Sequence, residues 1–350
     1  MQRRQLGRTD LYVPPLCLGT MTFGEQNSAE EAFAQLDFAL HQGIDFWDTA
    51  ELYPVPPNEE SQGRTEHILG QWFQRTGRRH EVILASKMAG PQHMAAHIRN
   101  GNSRFNAQGI RQALDDSLTR LNTHYIDLYQ LHWPERSANY FGKLGFDAAM
   151  AAQDDRDLTD LVDTLTALER EIRDGRIRAI GLSNDTPWGL MHCLSLAEHL
   201  GLPRVASIQN PYNLLNRSFE VGLAEIACRE DTGLLAYSPL AFGRLTNKYL
   251  HGAQPTDGRL TRYTRFTRYN NTYAINATDA YAAIAEQHGL SLAQMALAFT
   301  RQQFFVTSTI IGATTLEQLT ENIDSLQIQL DAAVLSQIEA IHMQHPNPAP

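Results

Sequence analysis

The chain has 350 residues, of which 43% are hydrophobic and 19% are charged, and these values are ordinary for a globular protein. Its formal net charge of −10 argues against binding to nucleic acid, and no apolar run approaches the roughly 18 residues that a membrane span needs. The cysteines Cys17, Cys193 and Cys228 form no C-x-x-C pair, so we expect buried or inert thiols in a reducing compartment, the cytoplasm.

The N-terminal segment predicts a hairpin with strands at Arg3–Leu6 and Leu11–Val13. A core strand is predicted at Leu16–Gly19, and Ser28 with Glu31 has the spacing of a capping box at the start of a helix. From there β-rich runs alternate with segments of helical periodicity. The further predicted strands are Ile44–Thr49, Val82–Ser86, Ile126–Leu131, Ile177–Leu182, Ala206–Gln209, Leu234–Ser238 and Ser308–Gly312.

Helical segments follow the predicted strands. They are predicted near Thr65–Arg75, Trp188–His199, Phe219–Arg229, Ala277–His288, Leu292–Arg301 and Ala332–Met343, and apolar residues recur at helical spacing after the first, third, fourth and eighth core strands. Eight such β-then-α units predict a (β/α)8 TIM barrel, formed as one domain over residues 1–350. The longest irregular stretches, 88–106, 133–156 and 240–274, follow strands, so we expect them at the C-terminal face of the barrel.

Four chemically active residues lie at or just beyond the ends of predicted strands, namely Asp48, Tyr53, Lys87 and His132. Strand ends of a parallel barrel converge on one mouth, and a buried Lys and Asp have to pair. A cation beside Tyr53 favours its phenolate, so we expect Lys87 to lower the pKa of Tyr53. Tyr53 would then protonate a carbonyl oxygen while neutral His132 donates a hydrogen bond to it. A purely structural ion pair beside a loop tyrosine is the alternative.

Several blocks of the sequence, in a fixed order along the chain, resemble the signature of the aldo-keto reductase superfamily, in the branch that includes potassium-channel β-subunits. These blocks are Asp48–Tyr53, Ser86–Lys87, Leu131–Pro134, Gly181–Asn184, Ala236–Leu240 and Glu317–Asn322. The resemblance implies that Asp48, Tyr53, Lys87 and His132 are a catalytic tetrad with Tyr53 as the general acid. It also implies that the N-terminal hairpin plugs the bottom of the barrel.

A cofactor site can be predicted from the residues at three later strand ends. No G-x-G-x-x-G follows a strand and no phosphate-binding P-loop motif occurs. Ser183, Asn184 and Gln209 could bind a carboxamide, and the ring of Tyr237 could stack on a flat heterocycle. Alternatively, Ser183 and Asn184 only cap the helix that begins near Pro187.

The family resemblance implies that the cofactor is NADP(H). Ser183, Asn184 and Gln209 would hold the nicotinamide amide and Tyr237 would stack on the ring. The pyrophosphate would contact Ser238, Leu240 and Gly243. The adenosine end would contact Gly312, Thr314, Gln318 and Asn322. Many family members have an arginine where this chain has Gln318, so we expect the 2′-phosphate contact to come from Arg259 with help from Lys248. Alternatively, Arg259 is one of several solvated arginines in a mobile lid.

The function predicted from the sequence is NADPH-dependent reduction of aldehydes or ketones, with a small-molecule substrate and no readable protein partner. A regulatory protein that senses nicotinamide nucleotides through a slow or vestigial site is the alternative. A metal-dependent hydrolase is disfavoured because Leu18–Met21 stands where an H-x-H motif is needed, and the pair His93 and His97 has no further ligand nearby in sequence. We therefore expect no metal site.

Overall fold

The computed structural model describes residues 2–91, 95–154 and 158–350, and it begins with the predicted hairpin. Strands β1 (Arg4–Gln5) and β2 (Tyr12–Val13) pair antiparallel. Leu6, Leu11 and Val13 are buried against apolar side chains inside the barrel. The hairpin thus closes the N-terminal end of the barrel, as the sequence predicts, and leaves the opposite end open.

The eight remaining strands pair in parallel and close into a barrel in the order β10-β3-β4-β5-β6-β7-β8-β9. Their bounds are β3 Leu16–Gly19, β4 Phe46–Asp48, β5 Ile83–Met88, β6 Ile126–Leu131, β7 Ile177–Ser183, β8 Val205–Pro211, β9 Gly233–Tyr237 and β10 Val306–Ile311. The predicted (β/α)8 TIM barrel is confirmed. The bounds of β3 and β6 are as predicted, whereas the other barrel strands differ from their predicted bounds by one or two residues at one or both ends. Lys87 therefore lies inside β5 and does not follow it.

Side chains alternate between two apolar layers along each strand. Phe46, Ala85 and Leu128 face the barrel interior and pack beneath the hairpin. Their neighbours Trp47 and Leu84 face the surrounding helices. This alternation directs the next inward residues of β4, β5 and β6 to the open end, where the polar site is built.

Helices surround the barrel and follow the strands. Among the described residues their bounds are α1 Ala29–His41, α2 Arg64–Thr76, α3 Ala107–Arg120, α4 Ala148–Asp154, α5 Leu161–Arg173, α6 Pro187–Leu200, α7 Leu223–Arg229, α8 Arg259–Arg262, α9 Thr272–Gln287, α10 Leu292–Gln302, α11 Leu316–Asp324 and α12 Ala332–Gln344. The predicted capping box is confirmed, because Ser28 and Glu31 bond to each other's backbone N–H. No helix in the described ranges is long and apolar enough to cross a bilayer.

Two expectations about helices need correction. The helix predicted near Phe219–Arg229 begins only at Leu223, because Gly222 has φ 133° and separates it from a short 3-10 turn at Ser218–Glu220. The stretches predicted to be irregular also contain short helices, α4 in the loop after β6 and α8 in the loop after β9. Both are too short to give a readable periodicity in the sequence.

Candidate active site

The four predicted residues come together at the C-terminal end of the barrel. Asp48 is the last residue of β4, Lys87 lies in β5, and His132 directly follows β6. Tyr53 lies in the loop after β4 and reaches back over the barrel axis to Lys87. The convergence follows from the parallel order β4-β5-β6.

Lys87 is the centre of the polar cluster and is fully buried. Its Nζ donates to Asp48 Oδ2 at 2.6 Å, to the carbonyl oxygen of Thr49 at 2.8 Å and to the Tyr53 hydroxyl at 3.3 Å. Burial alone lowers the pKa of Lys87, but Asp48 and Tyr53 raise it by more, so the net pKa lies above its ordinary value. Lys87 is therefore an ammonium ion at neutral pH.

Two glutamine side chains hold the second oxygen of Asp48. Gln209 Nε2 donates to Asp48 Oδ1 at 2.8 Å and Gln130 Nε2 does so at 3.2 Å. The two amides are linked in turn by a 3.2 Å hydrogen bond from Gln209 to Gln130. Gln130 was not predicted as a site residue, although its inward register in β6 marks it as one. The carboxylate is thus fixed at both oxygens and faces Lys87.

His132 forms one wall of the site beside Tyr53. The two ring centroids are 5.7 Å apart at an interplanar angle of 79°. Burial, with a smaller effect of the nearby Lys87, holds the pKa of His132 well below its ordinary value of 6.5. The imidazole is therefore neutral at physiological pH, as predicted. Its Nδ1 is buried and has no hydrogen-bond partner among the described residues.

The expected lowering of the pKa of Tyr53 is wrong in its net direction. Burial raises this pKa and is the largest influence, whereas Lys87 lowers it by less, so that the net pKa lies above the ordinary value of 10.0. The sequence shows the cation beside Tyr53 but not the burial of the phenol. Tyr53 is consequently protonated throughout the physiological range and has a proton to donate.

A cavity of about 910 Å³ opens above these residues. Asp48, Tyr53 and His132 line it, while Lys87 lies behind Asp48 and Tyr53. All the residues predicted to bind the cofactor also line it, namely Ser183, Asn184, Gln209, Tyr237, Ser238, Leu240, Gly243, Lys248, Arg259, Gly312, Thr314, Gln318 and Asn322. The structure therefore brings every predicted site residue to one cavity or to its immediate wall.

Ser183 and Asn184 do not cap the following helix. Thr186 does so, and its hydroxyl accepts a hydrogen bond from the backbone N–H of Gly189. Asn184 has φ 53° and its Nδ2 donates to the backbone oxygen of His132 at 2.9 Å. Ser183 Oγ donates to the backbone oxygen of Gln209 at 2.9 Å. Hydrogen bonds that do not cap the helix thus hold both side chains at the cavity wall.

Tyr237 and Arg259 cover the cavity from the side of β9. The Tyr237 hydroxyl donates to Asn184 Oδ1 at 2.6 Å. The Arg259 guanidinium lies 4.3 Å from the Phe242 ring centroid and 4.8 Å from that of Phe266. Its Nε has no partner among the described residues, and burial lowers the pKa of Arg259 to about 10. A desolvated cation without a carboxylate partner favours an anionic ligand.

The end of β10 forms a polar pocket at the start of α11. Gln318 Oε1 accepts from the backbone N–H of Thr314 at 3.0 Å and from the Thr314 hydroxyl at 3.1 Å. Asn322 Nδ2 donates to the backbone oxygen of Gly312 at 3.1 Å. This arrangement fixes two cavity-lining side chains beside a helix N-terminus, which is a favourable place for an anion.

A buried ion pair that the sequence did not reveal holds the Tyr53 loop in place. Glu51 pairs with Arg99 through two hydrogen bonds and accepts another from the backbone N–H of Ala89 at 2.6 Å. The Glu51 backbone N–H donates to the Lys87 carbonyl oxygen at 3.2 Å. Burial raises the pKa of Glu51 more than Arg99 lowers it. Arg99 is 48 residues further along the chain, so sequence spacing gives no sign of the pair.

The chain is similar in sequence to known proteins over nearly its whole length. A family model described as the aldo/keto reductase family matches residues 15–342. The chain belongs to the aldo/keto reductase family. It is 51% identical over 350 residues to the protein named Protein tas from Escherichia coli, and the alignment covers 100% of both chains.

More distant relatives of this aldo/keto reductase have more specific names. It is 31% identical to the L-glyceraldehyde 3-phosphate reductase of E. coli, over 97% of this chain and 92% of the relative. It is 30% identical to a probable voltage-gated potassium channel subunit beta of Oryza sativa, over 99% and 98% of the two chains.

A metal centre was not expected from the sequence. Among the described residues no group of three or more His, Cys, Asp or Glu side chains is placed to hold a metal ion. His93 lies outside the described residues, and His97 lies within them.

Proposed function

We propose that this protein is an NADPH-dependent reductase of aldehydes or ketones, with Asp48, Tyr53, Lys87 and His132 as its catalytic residues. The observation that carries the proposal is the contact between Lys87 Nζ and the Tyr53 hydroxyl at 3.3 Å, beside a neutral His132 and inside one cavity. Carbonyl reduction needs a hydride for carbon and a proton for oxygen, and this group is suited to deliver the proton.

Tyr53 would be the general acid. Its raised pKa keeps the proton on the phenol until a stronger base, the developing alkoxide, forms beside it. Lys87 then stabilises the phenolate that remains, since its ammonium is held near the oxygen by Asp48 and the carbonyl oxygen of Thr49. The buried position makes this electrostatic interaction stronger than it is in water.

His132 would orient the carbonyl oxygen. Because its pKa is well below 6.5, the ring does not compete with Tyr53 as an acid at neutral pH. Burying an N–H at Nδ1 without an acceptor is unfavourable, so the neutral ring keeps its proton on Nε2. Nε2 can then donate a hydrogen bond to the substrate oxygen.

The described residues fit a nicotinamide nucleotide. Asn184, Ser183 and Gln209 present amide and hydroxyl groups at the cavity wall, and Tyr237 supplies an aromatic face. When bound, the reduced nicotinamide supplies the hydride. The buried guanidinium of Arg259 and the helix N-terminus after Gly312 favour the anionic parts of the nucleotide.

NADPH is the proposed cofactor because it carries one phosphate more than NADH. We assign that phosphate mainly to Arg259, with help from the exposed Lys248 beside Gly243. Gln318 supports this assignment only as a neutral donor, since its Oε1 is already bonded to Thr314. Arg259 also lies close enough to Tyr53 to influence the pKa of Tyr53, so a contact with the pyrophosphate is the alternative.

The proposal extends to the setting of the protein. It treats residues 1–350 as one domain that works in the cytoplasm without an obligate protein partner. Three free cysteines, two of them buried, support a reducing compartment. The relative named L-glyceraldehyde 3-phosphate reductase supports carbonyl reduction. The relative named a probable voltage-gated potassium channel subunit beta supports a regulatory role, so a regulatory protein that senses nicotinamide nucleotides is the second candidate.

Turnover separates these two functions. Purified protein is mixed with NADPH and a panel of aldehydes and ketones, both neutral and anionic, and the loss of NADPH absorbance is followed. A reductase turns over many times per site, and typical enzymes reach about 1–1000 per second. Tight NADPH binding with no more than one turnover would favour the sensor and overturn the reductase.

A further inference from the structure

Arg268 is a fixed cation at the rim of the cavity. It lines the cavity, is half-buried, and interacts with the phenol groups of Tyr237 and Tyr269. Its guanidinium carbon lies 5.9 Å from the Tyr269 ring centroid. Tyr269 is itself fully buried and accepts a hydrogen bond from Asn213 Nδ2 at 3.1 Å. The guanidinium is therefore held against a rigid support.

Arg268, like Arg259, has no carboxylate partner among the described residues, whereas several other buried or half-buried arginines have one. Arg99, Arg136 and Arg217 are buried or half-buried, and each pairs with a nearby Glu or Asp. No carboxylate among the described residues forms an ion pair with Arg268. Within the cavity, Asp48 is already paired with Lys87. Arg268 thus presents an uncompensated positive charge.

The guanidinium of Arg268 lies near the substrate side of the cavity mouth. A Cβ added at Gly142 would lie 3.6 Å from Arg268 Nε. Gly142 follows Phe141, whose ring centroid is 5.9 Å from that of Trp133, and the Trp133 ring is 5.0 Å from that of His132. A continuous wall therefore runs from the reaction centre to Arg268.

The residues assigned to the adenosine end lie across the barrel from this wall. The wall follows β6, whereas Gly312 follows β10, and four steps around the eight-stranded barrel separate the two strands. A nucleotide that extends toward β10 leaves the β6 side free. Arg268 itself lies on the loop after β9, but its guanidinium reaches this wall at Gly142 and is therefore placed to meet the second reactant.

We propose that Arg268 binds an anionic group of the substrate, so that the preferred substrates are aldehydes or ketones carrying a carboxylate or a phosphate. The inference rests on the proposed reductase function. Arg binds both anions with two parallel hydrogen bonds, and the aromatic faces of Trp133 and Phe141 accommodate an apolar body between the anion and the carbonyl.

One competing occupant comes from the chain itself. An oxygen of Pro350 lies 3.7 Å from the same added Cβ at Gly142. Ala349 is held nearby, since its N–H donates to the backbone oxygen of Leu215 at 3.1 Å. A contact between Arg268 and this tail would affect all substrates alike, and the experiment below distinguishes it.

The test compares substrates that have the same aromatic aldehyde but differ in charge at the para position. The kcat and KM of the wild type, Arg268→Gln and Arg268→Lys are measured for para-carboxybenzaldehyde and for its methyl ester. The same constants are measured for para-formylphenyl phosphate, which carries a phosphate in place of the carboxylate. Arg262→Gln is the matched control, because Arg262 lies on the same loop, is exposed and does not line the cavity. The NADPH affinity of each variant is measured separately by fluorescence.

We expect Arg268→Gln to lose roughly tenfold or more in kcat/KM for the charged aldehydes, mainly through KM, because a hydrogen-bonded charge pair is lost. The ester and the NADPH affinity should change by less than about twofold, and Arg268→Lys should recover part of the loss. The relative loss for carboxylate and phosphate identifies which anion is preferred.

Equal losses for the acid and the ester would overturn the inference and assign Arg268 to the tail or to support of Tyr237. Equal wild-type kcat/KM for the acid and the ester would overturn it as well. Turnover of the ester shows in either case that the reductase function stands. No turnover of any of these compounds, or of the carbonyl panel, would instead overturn the proposed function itself.

Discussion

The pair Glu51–Arg99 offers a sharp prediction, because it connects the Tyr53 loop to the loop that follows β5. The exposed fractions of the two side chains are only 1% and 5%. Glu51→Met removes the partner of a buried guanidinium and also the acceptor of the Ala89 N–H. Breaking a buried ion pair on one side costs about 3–5 kcal/mol, so we expect a loss of that size in the free energy of unfolding.

Activity should fall as well, because Glu51 is two residues from Tyr53 and bonds to the backbone of Lys87. A shift of about 1 Å in a catalytic group costs on the order of a hundredfold in rate. We therefore expect kcat to fall by about ten- to a hundredfold while the NADPH affinity is retained. Urea unfolding gives the stability, and steady-state kinetics on a neutral aldehyde give kcat.

The double variant Glu51→Met/Arg99→Met is the control. Replacing both partners with apolar side chains leaves no buried unpaired charge, so it should recover at least half of the lost stability. The reasoning fails if Glu51→Met loses less than about 1 kcal/mol, or if the double variant is as unstable as the sum of the two single variants.

Three further predictions concern pH, cofactor choice and metals. The kcat/KM for carbonyl reduction should stay constant between about pH 7 and 9, because the pKa of His132 lies well below 6.5 and that of Tyr53 lies above 10.0; an inflection near neutrality would contradict this. Arg259→Ala should weaken NADPH binding roughly tenfold or more and leave NADH binding nearly unchanged, whereas equal losses would place Arg259 at the pyrophosphate or in the fold. Exhaustive chelation should leave activity unchanged, because no metal-holding cluster was found among the described residues; a loss restored by zinc or manganese would refute the tetrad mechanism.

The barrel and the meeting of the catalytic residues at its mouth can be predicted from the sequence for one physical reason. Strand alternation and strand order are local properties, and together they determine where Asp48, Lys87 and His132 meet. Gln130 follows from the same alternation. Residues in the long loops cannot be placed in this way, and the pairing of Arg99 with Glu51 depends on how a loop folds back.

The direction of the net pKa shift of Tyr53 also cannot be predicted from the sequence. Sequence shows that Lys87 and Tyr53 are neighbours, but burial, which dominates the pKa of Tyr53, is a property of the folded cavity. Helix capping was equally ambiguous, since Ser183, Asn184 and Thr186 all have suitable side chains and only the structure identifies Thr186 as the cap. The lack of a carboxylate partner for Arg268 is likewise a property of the folded chain that the sequence does not reveal.

The central claim is that Tyr53 donates the proton, and Tyr53→Phe tests it most directly. The substitution removes one hydroxyl and leaves the aromatic ring beside His132. General acid catalysis contributes about 10²–10⁴-fold, so kcat for a neutral aldehyde should fall by at least a hundredfold, with NADPH affinity unchanged within about twofold. Turnover of the Phe variant at the wild-type rate would contradict the account.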